Sequence, residues 1–423
     1  MLRLRRPGGR PGGRPGSRRR GRPIAVLAVL GCVASLAVLP STTAAADTIR
    51  DNQQWILNLM NVPAAWQLTR GGGVTVAVID SGVNPGVSDL AGSVVTGPDY
   101  TGVSTKPSNP DWGVHGTWMA SLIAGHGHDG GDSGVIGVAP RSTILSIRVI
   151  PDRSDPHYGR YSHEREPDIQ NSLAQGIDYA VSHGAKVISM SIGYSAPNGA
   201  VKQALAGAYA RGVVVVASAG NSGAPGGTSD GGQAPESFPA DYPGVISVGA
   251  VNEAGTVAGF SSDNLSVQVA APGVSVPAQG RDGQYWWVSG TSPACALVAG
   301  VAALIKSRYP DLAPSLVATA LTSTTTDRPA GVYNSQVGFG IVDADAALAK
   351  AAKLAHDPPA PAGIAAEFRF GGGPAAVASP PVHPRGSGQL FLFVLLALTS
   401  LVLAAAAATR LTILRRTARD RPF

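Results

Sequence analysis

Val74-Thr75-Val76-Ala77-Val78-Ile79, running straight into Asp80-Ser81-Gly82, is an apolar, largely β-branched run that ends on an acid and a glycine-permitted turn. A short run with almost no polar alternation reads as a strand buried on both faces. Similar runs occupy residues 144–149, 187–192, 213–217 and 245–248. Helical spacing separates several of them, as in residues 169–183, where Leu173, Ile177, Tyr179, Ala180 and Val181 supply much of one buried face. Strands alternating with amphipathic helices imply an α/β fold, a mainly parallel sheet with helices on both faces. Such a sheet carries its functional groups at the carboxyl ends of its strands. No internal repeat interrupts the pattern.

The 423 residues have a formal charge of +6, which invites a nucleic-acid reading. The charge is not where that reading needs it. Nine arginines lie in residues 1–23 and five in 410–423, leaving 19 basic against 26 acidic residues between them. The globular part is therefore acidic, and no nucleic-acid partner is expected. The arginine-rich start, the apolar run 24–39 and the small residues closing at Ala44-Ala45-Ala46 read as a secretory signal over 1–46. Cleavage ahead of Cys32 is the alternative, disfavoured because the following segment stays apolar. With Cys32 removed, Cys295 has no intrachain partner, and stability must come from the core.

Residues 356–388 are rich in Pro, Gly and Ala and read as a linker. Residues 389–409 follow as an uncharged apolar stretch, long enough as a helix to cross a bilayer. Arg410, Arg415, Arg416, Arg419 and Arg421 in the tail 410–423 place that end in the cytoplasm and residues 47–355 outside the membrane.

Three short motifs carry chemistry. Asp80 ends the first strand, where a carboxylate is costly unless hydrogen-bonded. His115 opens a short helix, Val114-His115-Gly116-Thr117 onward, that Gly125 can terminate. Ser292, in Gly290-Thr291-Ser292-Pro293-Ala294, precedes an apolar helix as an N-cap with Pro at the first helical position. Each alone has a plain structural reading: a turn acid, a helix histidine and a cap.

Taken together and in this order, the motifs resemble those of the subtilisin-like serine proteases: D-[ST]-G at Asp80-Ser81-Gly82, H-G-T at His115-Gly116-Thr117 and G-T-S at Gly290-Thr291-Ser292. The likeness extends over about three hundred residues. Ser191-Ile192-Gly193 matches the family's substrate-binding strand, and Ala219-Gly220-Asn221 the stretch with the oxyanion-hole asparagine. Gly338-Phe339-Gly340 leads into the closing segment of the domain. The resemblance implies a subtilisin-like three-layer α/β/α domain and a serine endopeptidase acting through an acyl-enzyme. Asp80, His115 and Ser292 would be catalytic; Asn221 and the Ser292 N–H would form the oxyanion hole; Ser191, Ile192, Gly193, Ala219 and Gly220 would bind substrate. No cofactor or metal ligand is assigned.

The short N-terminal extension, the linker and the C-terminal span look like the mycosins, proteases associated with type VII secretion. That likeness implies processing of exported proteins, with protein or peptide substrates, the cell membrane and the secretion complex as partners. A scaffold for that complex with secondary proteolysis, or an unspecialised surface protease, are the alternatives. Trp118 after H-G-T and Pro293-Ala294-Cys295 after the serine depart from the family pattern. His126-Gly127-His128-Asp129 has no zinc spacing and reads as a solvated loop. Residues 152–168, rich in Arg, Glu and His, read as an exposed insertion near the cleft.

Overall fold

The computed structural model describes residues 48–131, 133–159, 167–223 and 234–356, with positions 399, 409 and 410. The expected signal 1–46 and, apart from those single positions and His356, the linker 356–388, span 389–409 and tail 410–423 lie outside the described residues. Among the described residues no helix is long and apolar enough to cross a membrane.

Eleven strands are described: β1 (Thr75–Asp80), β2 (Val94–Asp99), β3 (His126–His128), β4 (Ser133–Ile136), β5 (Thr143–Arg148), β6 (Val187–Met190), β7 (Val214–Ser218), β8 (Val245–Val251), β9 (Val267–Pro272), β10 (Val276–Gln279) and β11 (Tyr285–Val288). Seven form one sheet in the order β2-β5-β1-β6-β7-β8-β9, and each neighbouring pair is parallel. Strands β3 and β4, and β10 and β11, form two small antiparallel pairs.

The period-two alternation of strand side chains divides the core into layers. In β1, Val76 and Val78 face one layer, Ala77 and Ile79 the other. Helices Val114–Ala124, Thr291–Arg308, Pro314–Ser323 and Ala344–His356 contribute to the first; Pro167–Ser182 and Gly199–Ala210 contribute to the second. The helix Thr291–Arg308 is buried nearly all round, which is why its sequence shows no polar face. Its Lys306 is buried too, its ammonium donating to Leu312 O at 2.9 Å; burial lowers the pKa of that group.

The segment before β1 belongs to the same core. Helix Thr48–Leu59 buries Ile56 and Leu57, and Met60 follows them. Gln53, fully buried, donates to Ile136 O at 2.7 Å and accepts from Ile136 N at 3.0 Å, which satisfies its whole amide edge against the end of β4. The Arg50 guanidinium donates to three carbonyls, Gly134, Gly131 and Ser133, at 3.0, 3.2 and 3.4 Å.

One expectation about loops needs correction, and a second needs narrowing. His126–His128 is not a solvated loop but strand β3, and His128 Nδ1 lies 2.7 Å from Asp89 Oδ1. The reason is the fully buried Asp89 carboxylate, which needs donors and takes them from His128, Val135 N and the Tyr285 hydroxyl. The insertion beginning at Asp152 is exposed over most of its described part, as expected, but not at two of its acids. In its described part, Asp152 and Asp155 are 5% and 3% exposed.

Candidate active site

Several residues of the candidate site stand at or just after the carboxyl ends of sheet strands. Asp80 closes β1, Ser191 follows β6, Ala219 follows β7, and the turn carrying Asp152 follows β5. The buried Asp80 carboxylate is satisfied as its position demands: Ser81 N donates to Oδ1 at 2.7 Å, and His115 Nδ1 lies 2.9 Å from Oδ1 and 3.0 Å from Oδ2. With Nδ1–H directed at the carboxylate, the imidazole keeps Nε2 for another partner. The ring remains 28% exposed.

The helix bearing His115 begins after Gly113, a residue with φ 73° and no side chain with which to cap. The three N–H groups of its first turn that have no intrahelical acceptor are nonetheless satisfied, and the fourth makes the first helical bond. Val114 and His115 donate to the two oxygens of Asp152 at 2.7 and 2.8 Å; Gly116 donates to Ser81 Oγ at 3.0 Å; Thr117 donates to Gly113 O at 3.2 Å. Thus Ser81 of the first motif holds the helix of the second. Gly116 is required by proximity, since a Cβ there would lie 2.2 Å from Gly82 O.

His115 has a raised pKa. Partial burial of the ring opposes its charging, but the charge and hydrogen bond of Asp80 and the charge of Asp152 outweigh that cost against a smaller opposition from Arg153. Asp152 is pushed up to about 6, chiefly by burial, while its backbone hydrogen bond from His115 and the charge of His115 pull the other way.

Ser292 is the second residue of Thr291–Arg308, whose cap is Gly290, so the helix begins two positions earlier than the expected cap at Ser292 would place it. Pro293 is tolerated there because the first-turn N–H it lacks would have had no intrahelical acceptor. Ser191 Oγ donates to Ser292 O at 3.2 Å and ties the end of β6 to the turn. Helices Val114–Ala124 and Thr291–Arg308 pack against each other and bring His115 and Ser292 to the same edge. Among the described residues no hydrogen bond yet joins Ser292 Oγ to His115 Nε2; such contacts are often long before substrate arrives.

Asn221 is oriented by Thr291. Its Oδ1 accepts from Thr291 N at 2.9 Å and from Thr291 Oγ1 at 3.1 Å, and Thr291 Oγ1 in turn accepts from Gly220 N at 3.2 Å. Both bonds require oxygen at that position, so the amide's two N–H groups face the other way, beside Gly290. Gly220 has φ +103°, a conformation that glycine adopts without strain. Ser191, Ile192 and Gly193 follow β6 but lie outside the strand, and Tyr194 pairs with Phe238.

Trp118 is 3% exposed and packs against Trp286, ring centroids 6.0 Å apart, and edge-on to His115 at 6.2 Å. It therefore backs the histidine from within the core. Cys295, fully buried one turn after Ser292, has its thiol pushed up to about 12 by burial, which keeps it protonated. Asp152 is the residue that sequence reasoning missed. Its signal was a lone acid after Arg148 in a charged stretch, indistinguishable from a surface acid without the fold.

The subtilase family profile, Peptidase S8, matches residues 71–340. Subtilisin DY of Bacillus licheniformis is 38% identical over 278 residues, 66% of this chain and 92% of that protein. Among solved structures, MycP1 from the ESX-1 type VII secretion system is similar at 31% identity and a TM-score of 0.58, covering 70% of this chain and 85% of that one. The MycP3 protease from the type VII (ESX-3) secretion system is similar at 32% identity and a TM-score of 0.58, covering 70% and 87%.

Proposed function

The chain belongs to the subtilase family and is a serine endopeptidase, and from that premise we propose that Asp80, His115 and Ser292 are its catalytic triad. The observation that supports this most directly is the Asp80–His115 hydrogen bond at 2.9 Å, made at the sheet edge that also carries Ser292. His115 takes the proton of Ser292 Oγ as that oxygen attacks the peptide carbonyl, and the tetrahedral adduct collapses to an acyl-enzyme as His115 returns the proton to the departing amine. Water, activated by the same imidazole, then releases the acid product. Asp80 fixes the tautomer and stabilises the imidazolium formed in each step.

The Asn221 amide and the backbone N–H of Ser292 receive the oxyanion. Thr291 is the reason the amide is preorganised: both of its donors hold the far end of the group before substrate binds. Ser191, Ile192 and Gly193, with Ala219 and Gly220, form the extended walls along which substrate backbone lies.

We further propose that the enzyme is held at the membrane by the apolar segment 389–409 with its catalytic domain outside, and that it processes proteins exported by a type VII secretion system. The likeness to MycP1 and MycP3 and the basic tail support this reading. The test of the nucleophile uses a fluorophosphonate probe on the full chain. Wild type is labelled covalently and Ser292→Ala is not; equal labelling of the two removes Ser292 from the mechanism. The secretion role is tested by restoring a deletion strain with Ser292→Ala: export that requires the hydroxyl supports processing, whereas full export without cleavage reduces the protein to a scaffold.

A further inference from the structure

We infer that Asp152 is a positioning residue for His115, an ionised second carboxylate that fixes the start of the histidine's helix and reinforces its positive charge during proteolysis. The inference rests on the assignment of His115 as general base. The helix Val114–Ala124 must start with its catalytic side chain in the first turn, yet Gly113 provides no cap. The missing cap comes from a different element, the turn after β5, and it is supplied to the backbone of the base itself: Val114 N–H to Oδ2, His115 N–H to Oδ1.

The environment makes this carboxylate an expensive way to cap a helix. Asp152 is 5% exposed, and no salt bridge reaches it among the described residues. Arg148, the nearest buried cation along the chain, directs its guanidinium to Asp99 at 2.7 Å, Asp155 at 3.4 Å, Thr101 Oγ1 and Ser81 O. The charged groups acting on the pair are Asp80 and His115 from the two facing elements and Arg153 from the same turn; Asp155 adjoins it through its N–H to Asp152 O at 2.9 Å. A buried anion held by two N–H groups and opposed by a second anion would be disfavoured by stability alone. An asparagine could supply one acceptor without that cost. What only the anion supplies is charge beside an imidazole that must become a cation in the transition state.

The arrangement couples positioning to protonation. Burial raises Asp152 to about 6, and its negative charge helps to raise His115. As pH falls toward 6, His115 becomes protonated and loses its function as base, and Asp152 then loses its charge and one acceptor oxygen. Two protons therefore close the acid side of the activity profile rather than one.

The test compares wild type, Asp152→Asn and Asp152→Glu as full chains, measuring kcat and KM on a fluorogenic peptide from pH 5 to 9. Activities are normalised to sites titrated with fluorophosphonate, so misfolded material does not count. Asp152→Asn is expected to lose about tenfold in kcat at pH 8 with little change in KM, and to show its acid limb at lower pH and limited by one proton. Asp152→Glu, which keeps the charge, is expected to move the limb back toward wild type. A purely structural cap would lower kcat equally at all pH values, and an unshifted acid limb in Asp152→Asn overturns the inference. If the Asn variant does not fold, wild type still decides the matter: between pH 5 and 6 the logarithm of kcat/KM must rise with a slope above one, and a slope of one overturns it. Failure of Ser292→Ala to abolish labelling would instead sink the triad, a result distinguishable from all of these.

Discussion

Replacing Gly116 by alanine separates the geometry of the site from the stability of the fold. An added Cβ would lie 2.2 Å from Gly82 O, 3.1 Å from Gly82 C and 3.3 Å from Asp80 Cβ. Carbon and carbonyl oxygen pack no closer than about 3.3 Å, so the turn after β1 and the start of the helix must separate by about 1 Å. These are the two elements that carry Asp80 and His115, whose bond is 2.9 Å. Lengthening it by that amount takes it out of hydrogen-bonding range. Misplacement on this scale costs about 10²-fold in rate, or about 2.7 kcal/mol of transition-state stabilisation. The stability change should be smaller. Crowding costs about 1–3 kcal/mol, and alanine returns up to about 1 kcal/mol through its better helix propensity. Urea denaturation measures the second quantity, and kcat/KM per titrated site the first. Gly199→Ala, where the added carbon meets nothing within 4 Å in the first turn of another helix, is the control and should leave both nearly unchanged. A folded Gly116→Ala enzyme with kcat/KM within threefold of wild type would refute the argument.

Asn221→Ala should fold and reduce kcat by about 10²–10³-fold with KM little altered, the figure found for one such donor in a subtilisin; a loss below tenfold would mean that the oxyanion is held elsewhere. Cys295, fully buried and with its thiol pushed up to about 12, should resist iodoacetamide at pH 8 in the native chain and react in urea; peptide mapping of rapid native alkylation at that residue would contradict its burial.

The strands with unbroken β-branched runs were legible because both faces of each are buried: residues 74–79, 144–149, 213–217 and 245–248 lie within one or a few positions of β1, β5, β7 and β8. The two edge strands were not. Strand β2 is half exposed and carries Gly97 and Pro98, and β9 pairs with β8 through a register irregularity, so neither shows the period of a central strand. The expected run over 187–192 stops as a strand at Met190 because Ser191 turns to the Ser292 carbonyl and Tyr194 pairs elsewhere. Motif order pointed to Asp80, His115, Asn221 and Ser292, residues from four separate elements that the fold gathers at one edge. Asp152 and Asp89 escaped notice for a common reason: burial of an acid is a property of what packs over it, and neither neighbour sequence announces that covering.

The Gln53 and Arg50 contacts bear on how far the chain ahead of β1 is part of the folded domain. Helix Thr48–Leu59 seals apolar side chains and occupies peptide groups of Ile136 and the adjoining loop, so a cut between it and β1 would uncover both at once. Trp66, whose indole donates to Val138 O at 2.8 Å, fastens the remainder of the same stretch. A cut ahead of Thr48 would leave these bonds in place, whereas one inside the helix would fall among the residues that make them. Tags and fusion partners belong upstream of that boundary.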